Sequence, residues 1–318
     1  MTRIFAAALA ASVVCGALAA NAQDKTQMAF VVNGASDFWK LAEAGVNKAQ
    51  EELGDGYELQ FRYPAQATAA LQNALMDDLV AAGTDAIMIS SVDPKTSTDA
   101  FDRIAAQIPL FTTDSDAPQS KRVAYIGSSN TDAGVQAGEI AKKALPDGAK
   151  CMGFVGLLGA DNAIERIAGF RKAVEGSGIE LVDVRGDDID FARARSNVDD
   201  VLAANPEINC MVGFYSYNPP KIYEALQAAG KIGQVTVIAF DEDPITLGAV
   251  RSGEFAGTVV QQPFEWGYQG MKLMAKYLGG DKSFVPADGL IIVPTKVIDK
   301  TNVDAFEADL KAKIASAG

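Results

Sequence analysis

The chain has 318 residues, 48% of them hydrophobic, no histidine and a formal net charge of −13. That length and apolar content suffice for two cores, because single cores stop growing at roughly 250–300 residues. Without histidine, Ser-His-Asp and Cys-His nucleophile pairs and imidazole zinc sites are excluded, and so acidic a surface repels nucleic acid and anionic lipid.

Residues 1–22 read as a secretory signal: Arg3 supplies the positive start, Ile4 to Ala20 is apolar and small, and Ala20-Asn21-Ala22 is a small-x-small cleavage site. The mature chain then begins near Gln23, in the periplasm. Cys15 follows Val13-Val14, too bulky a pair for lipid attachment. No later apolar run reaches the roughly 18–20 residues needed to span a bilayer.

Beyond the leader, short strand-like runs alternate with longer amphipathic ones, the pattern of a parallel sheet covered by helices. The first half predicts strands at Gln27 to Val32, Glu58 to Tyr63, Asp85 to Ser90, Pro109 to Thr113 and Arg122 to Ile126. Between the first two, Phe38, Leu41, Gly45, Val46, Ala49 and Leu53 recur at three- and four-residue steps, with Lys48, Glu51 and Glu52 on the other face. Leu71, Leu75 and Leu79 mark the next helix.

The second half repeats the scheme, with strands at Lys150 to Gly156, Glu180 to Val184, Asn209 to Phe214, Val235 to Phe240 and Phe255 to Val260. Two doubly wound, Rossmann-like α/β lobes in series are the expected fold. Cys151 and Cys210, near two strand starts, read as buried small apolar side chains rather than as a disulfide.

Open α/β sheets bind ligands outside the carboxyl ends of their strands. The polar residues at those ends are Asn33, Ser90 and Asp114 in the first half, and Tyr215, Ser216 and Asp241 in the second. Carboxylates accept, amides and hydroxyls do both, and such a set suits a small neutral molecule covered in hydroxyls. There is no GxxxxGK[ST] and no GxGxxG after a strand, so neither a nucleotide nor a dinucleotide is indicated. No cofactor and no metal is expected. The acids of Gly186-Asp187-Asp188-Ile189-Asp190 lack EF-hand spacing and read as a solvated loop.

The ordered series AFVVNGASDFW, GTDAIMIS, IPLFTTD, YIGSSNTDAG, ERIAGFRKAV, FARARSN, VIAFDEDP and GTVVQQP resembles the periplasmic sugar-binding proteins of the ribose/galactose type, soluble receptors of ABC importers. The resemblance spans essentially the whole mature chain. It implies a type I periplasmic binding protein with a core like that of the LacI repressors. The first lobe is residues 23–128 plus 262–289 and the second is residues 129–261 plus 290–318. A three-strand hinge crosses near Ser128, Gln261 and Gly289.

By the same resemblance, Phe38 and Trp39 pack on a sugar ring, Asp114 and Asp241 pair with its hydroxyls, and Asn130 lies in the first crossover. Arg166 reaches in from the second lobe, Phe191 is a second stacking aromatic, Gln261 is a cleft amide, and Asn33 and Ser90 are polar contacts. Ser115 replaces the arginine usual in ribose receptors, and Tyr215-Ser216-Tyr217-Asn218 replaces the usual Asn-Asp. Both departures point to a pentose, hexose or polyol other than ribose.

Bland readings stand beside these. Asp114 is also a plausible turn former, Asp241 a cap for a helix starting at Asp243, and Arg166 a solvated partner of Glu165. Phe38 and Trp39, adjacent at a helix start, cannot share one face. The expected function is a monomeric receptor that closes around a sugar or polyol and presents it to a membrane permease, not an enzyme. The competing functions are an exported carbohydrate-active enzyme using Asp114 and Asp241, a sugar sensor for chemotaxis or signalling, and a repressor. The repressor is disfavoured because a leader stands where its DNA-binding segment would be.

Overall fold

The computed structural model describes residues 25–315, so the leader at residues 1–22, its cleavage site and Cys15 lie outside the described residues. The first lobe opens with β1 (Thr26–Val31), α1 (Trp39–Leu53), β2 (Tyr57–Arg62), α2 (Ala69–Ala81), β3 (Ala86–Ile89), α3 (Pro94–Ala105), β4 (Leu110–Thr112) and β5 (Tyr125–Gly127). The second follows with α4 (Asn130–Ala144), β6 (Ala149–Val155), α5 (Asp161–Val174), β7 (Ile179–Gly186), α6 (Phe191–Ala204), β8 (Cys210–Gly213), α7 (Asn218–Ala228), β9 (Thr236–Phe240), α8 (Pro244–Ser252) and β10 (Gly257–Val260). The chain returns through α9 (Pro263–Leu278) and β11 (Leu290–Ile292), then crosses again to β12 (Lys296–Ile298) and α10 (Val303–Ala315).

The two sheets share one topology. Their orders are β2-β1-β3-β4-β5-β11 and β7-β6-β8-β9-β10-β12, and all neighbours are parallel except β10 and β12. Helices cover both faces, which is why β3 and β8 are buried along their whole length. The last strands were not legible in the sequence, because β11 is mostly exposed and only one residue of β12 is buried. Strand β11 pairs with β5, so the third crossing falls after Ile292 rather than at Gly289. Strand β12 enters the second lobe from the cleft and must run away from it, hence its antiparallel sense. A bond from Gln262 Nε2 to the Pro294 carbonyl, 2.7 Å, ties the second and third crossings together.

Each lobe brings two helices into contact through reciprocal glycines. A Cβ on Gly45 of α1 would stand 2.1 Å from the Phe264 carbonyl oxygen, and one on Gly267 of α9 would stand 2.1 Å from that of Ala42. In the second lobe, Gly134 of α4 meets the Arg166 carbonyl and Gly169 of α5 meets that of Thr131, each at 2.2 Å.

The cysteines correct the sequence reading. Cys151 and Cys210 are register partners on adjacent strands β6 and β8, with Cα atoms 4.3 Å apart, and they form a disulfide. Nothing in the spacing of 59 residues announces this; the pairing of the strands does.

Candidate functional site

Between the lobes lies a narrow cavity lined by residues of both. The first lobe contributes Asn33, Ser36, Phe38, Trp39 and Asp114, and the second Asn162, Arg166, Ile189, Tyr215, Ser216, Tyr217, Asp241 and Gln261.

Asp114 follows β4 and Asp241 follows β9, equivalent places in the two sheets. Both adopt left-handed backbone, with φ of 53° and 66°, a conformation that aspartate tolerates better than most residues. The alternative role for Asp241 falls away, because Asp243 caps α8, accepting from Ile245 N at 2.8 Å.

Asp114 is the hub of the site. Its carboxylate accepts from Ser90 Oγ at 2.8 Å, Asn33 Nδ2 at 3.3 Å, and Asn162 Nδ2 at 3.1 Å. The Asn162 bond joins the lobes. Arg166 Nη2 stands 3.5 Å from Asp114 Oδ1. Asp241 accepts from the Gln261 backbone N–H at 3.2 Å and from Gln261 Nε2 at 3.2 Å.

Arg166 is 1% exposed, far from the solvated ion pair that its neighbour Glu165 suggested. Its Nε donates to Asn130 Oδ1 at 2.9 Å and its Nη1 to the Phe214 carbonyl at 2.8 Å, and its guanidinium lies 5.0 Å from the Phe240 ring centroid. Two buried polar atoms here have no hydrogen-bond partner, Arg166 Nη2 and Gln261 Oε1. Beside the two carboxylates there thus stand one guanidinium nitrogen held only by its 3.5 Å ion pair to Asp114 and one amide oxygen without a hydrogen-bond partner.

Ser90 and Asn130 do not reach the cavity wall. Ser90 anchors the Asp114 carboxylate; Asn130 donates to the Asp114 carbonyl at 2.8 Å and orients Arg166. Trp39 is 2% exposed and packs against Phe30, with ring centroids 6.0 Å apart. Phe38 is half-buried and meets Trp39 and Trp266 edge to face. Both border the cavity while packing on the first-lobe core, so the expected division between sheet and cleft is partial.

Phe191 does not line this cavity itself: it is 42% exposed, tilted onto Tyr217 with centroids 4.7 Å apart, and borders the adjoining groove with Ser36, Phe38, Ser216 and Tyr217. Tyr215 and Tyr217 supply aromatic surface to the cavity from the second lobe. The loop at residues 186–190 is not simply solvated either. Asp187 is buried and accepts from the Tyr217 hydroxyl, from Asn218 Nδ2 at 2.9 Å and from Ile189 N at 2.9 Å. It thereby fixes Tyr217 in the wall. Ile189 holds φ of 61° and projects toward Gly34 of the other lobe, where a Cβ would stand 2.6 Å from Ile189 Cδ1.

Asn162 also escaped the sequence reading, though a signal existed. It precedes Arg166 by one helical turn and so shares its face. Its carboxamide bridges the lobes, donating to Asp114 and accepting from the Tyr215 hydroxyl at 2.8 Å.

Burial pushes the Asp114 carboxyl up, opposed by Arg166, Ser90 and Asn162. It raises Asp241 to about 6 against the pull of Arg166 and Gln261, and Asp187 to about 6 against the bonds from Tyr217 and Asn218. Burial, with Asp161 and Asp116 nearby, raises Glu165 to about 7. Groups that hold protons more tightly when folded stabilise the protein below their unfolded values near 4 and lose that contribution as pH rises through the folded ones. The ligand-free protein should therefore melt at a higher temperature at pH 5 than at pH 8, a difference on the order of 1–3 kcal/mol. Calorimetric scans across that window check it, and a flat or rising profile would contradict the burial described.

Residues 28–282 match the periplasmic binding protein domain. The chain belongs to this family. The ribose import binding protein of Salmonella typhimurium is 30% identical to this binding protein over 283 residues, covering 88% of this chain and 93% of that one. A solute binding protein from Burkholderia graminis, solved in complex with D-arabinose, superposes with a TM-score of 0.82 at 29% identity, covering 88% of this chain and 97% of that one. A glucose-galactose binding protein from Geobacillus stearothermophilus gives a TM-score of 0.81 at 29% identity, with 88% and 99% covered. The likeness extends across both lobes and the hinge of this binding protein.

Proposed function

We propose that this protein is an exported, monomeric periplasmic receptor that closes its lobes around a monosaccharide or polyol and delivers it to the permease of an ABC importer. The observation that carries this reading is the pair of buried atoms that lack a hydrogen bond, Arg166 Nη2, which has only its ion pair to Asp114, and Gln261 Oε1, beside the carboxylates of Asp114 and Asp241. A hydroxyl both donates and accepts, and vicinal hydroxyls satisfy such a set in a way that no phosphate or apolar ligand would. Leaving these groups unpaired costs about 1–3 kcal/mol each, which makes the site selective among epimers.

The ribose import relative and the arabinose-bound neighbour support a sugar as the occupant, and export through a leader cleaved near Ala22 accords with the family. Binding without turnover is the reading favoured by Asp114, whose carboxylate is already engaged by Ser90, Asn33 and Asn162 and is thus poorly placed to act as nucleophile or acid. Sharing of hydroxyls between groups from both lobes makes the closed state the one in which all are matched, and closure follows from that differential affinity.

A thermal-shift screen against pentoses, hexoses and polyols tests the proposal. A sugar at 1,000 times its Kd should add about 4.1 kcal/mol to stability. Asp241→Ala should remove the response while circular dichroism shows the fold retained. Silence from the whole panel, or turnover of glycosides, would overturn the reading.

A further inference from the structure

Ser115, directly after Asp114, is fully buried yet does not line the cavity. Its backbone belongs firmly to the first lobe: its carbonyl accepts from Ser91 N at 3.0 Å, and it bridges back to Thr113. Its hydroxyl serves the other lobe. Ser115 Oγ accepts from Asp161 N at 3.1 Å, the first residue of α5. That helix carries Asn162 and Arg166.

Helix α5 has no cap of its own. Ala160 holds the extended backbone of an N-cap, φ −72° and ψ 143°, but offers no side-chain oxygen. Helices α2, α3, α4, α6 and α8 are each capped by their own preceding residue, Thr68, Asp93, Ser129, Asp190 and Asp243, whereas α1, α7 and α9, like α5, have no such cap. The oxygen that α5 lacks in sequence thus comes from the opposite lobe, and the bond exists only while the lobes are together. A neutral donor-acceptor suits the place, because Asp116 already raises the charge cost at Asp161 and Glu165.

We infer that Ser115 is a positioning residue for ligand capture, a helix cap supplied across the cleft that favours the closed lobes and seats Asn162 and Arg166. This rests on the reading of the protein as a closing receptor. The cap contributes to the closed state and not to the open one. Its contribution is therefore independent of which hydroxyls a sugar presents, unlike that of a residue touching the ligand.

Wild-type protein and Ser115→Ala are titrated calorimetrically with D-ribose, D-arabinose, D-allose, D-galactose and myo-inositol, and the melting temperature of each protein is measured without sugar. Cap substitutions elsewhere correspond to a weakening of about 2- to 30-fold. The expected result is a rise in Kd within that range, by the same factor for every compound bound, with the ligand-free melting temperature unchanged. An unchanged Kd overturns the inference, as does a factor that differs among sugars, which would make Ser115 a ligand contact. A lowered ligand-free melting temperature overturns it too, since the cap would then exist in the open form. Failure of wild-type protein to bind any of the five removes the receptor reading and this inference with it.

Discussion

Arg166→Met is expected to abolish sugar binding and to destabilise the protein by about 3–5 kcal/mol, the usual cost of removing one partner from a buried charge set. The guanidinium is the cation that opposes burial at both Asp114 and Asp241. Methionine keeps the apolar stem packed but leaves both buried carboxylates uncompensated. It also strips donors from Asn130 Oδ1 and the Phe214 carbonyl. Urea denaturation gives the stability loss and calorimetric titration the binding. Adding Asp114→Asn to Arg166→Met should recover part of the stability and none of the binding, since the two positions share one network. A stable Arg166→Met protein that still binds would mean that the carboxylates are not held by this residue.

Gly134→Ala should cost about 3 kcal/mol or more, at the upper end of overpacking substitutions. The added methyl would meet backbone, the Arg166 carbonyl oxygen at 2.2 Å, and backbone cannot rotate away as a side chain can. Helices α4 and α5 must separate. Because the atom struck belongs to Arg166 itself, binding should weaken along with stability. Gly267→Ala makes the matched comparison in the first lobe, where the clash is with the Ala42 carbonyl of α1, a residue that does not itself line the cavity. It should lower the melting temperature comparably and change Kd less. Equal losses of affinity in the two variants would count against transmission through α5.

The reciprocal glycines also show how deep the internal repeat runs. Helix α1 corresponds to α5 and α9 to α4, so the same close helix crossing positions the first helix of each lobe beside the cleft. Sequence patterning could reveal the repeat of strands and helices, since apolar periodicity is a local property. It could not reveal the crossings, because a glycine in a helix looks the same whether its neighbour is solvent or backbone.

Asp114 and Asp241 were legible for a simple reason. Each ends a buried apolar run, and the carboxyl edge of a parallel sheet follows from strand direction alone. Arg166 and Gln261 needed the family resemblance, because polarity at a helix start or a strand end has many ordinary uses. The disulfide was misread because two buried cysteines differ from a bonded pair only in register across β6 and β8.

By itself the sequence determined two α/β lobes, the carboxyl edges of their sheets, a carboxylate at each edge, and the absence of histidine chemistry. These rest on composition and on periods of two and 3.6 residues, which need no distant partner. Only the tertiary structure decided that Asn162 bridges Asp114 and Tyr215, that Asp187 locks Tyr217, and that Ser115 caps a helix 46 residues away in the other lobe. A hydrogen bond depends on distance and direction, and those arise when two separately folded sheets are brought edge to edge.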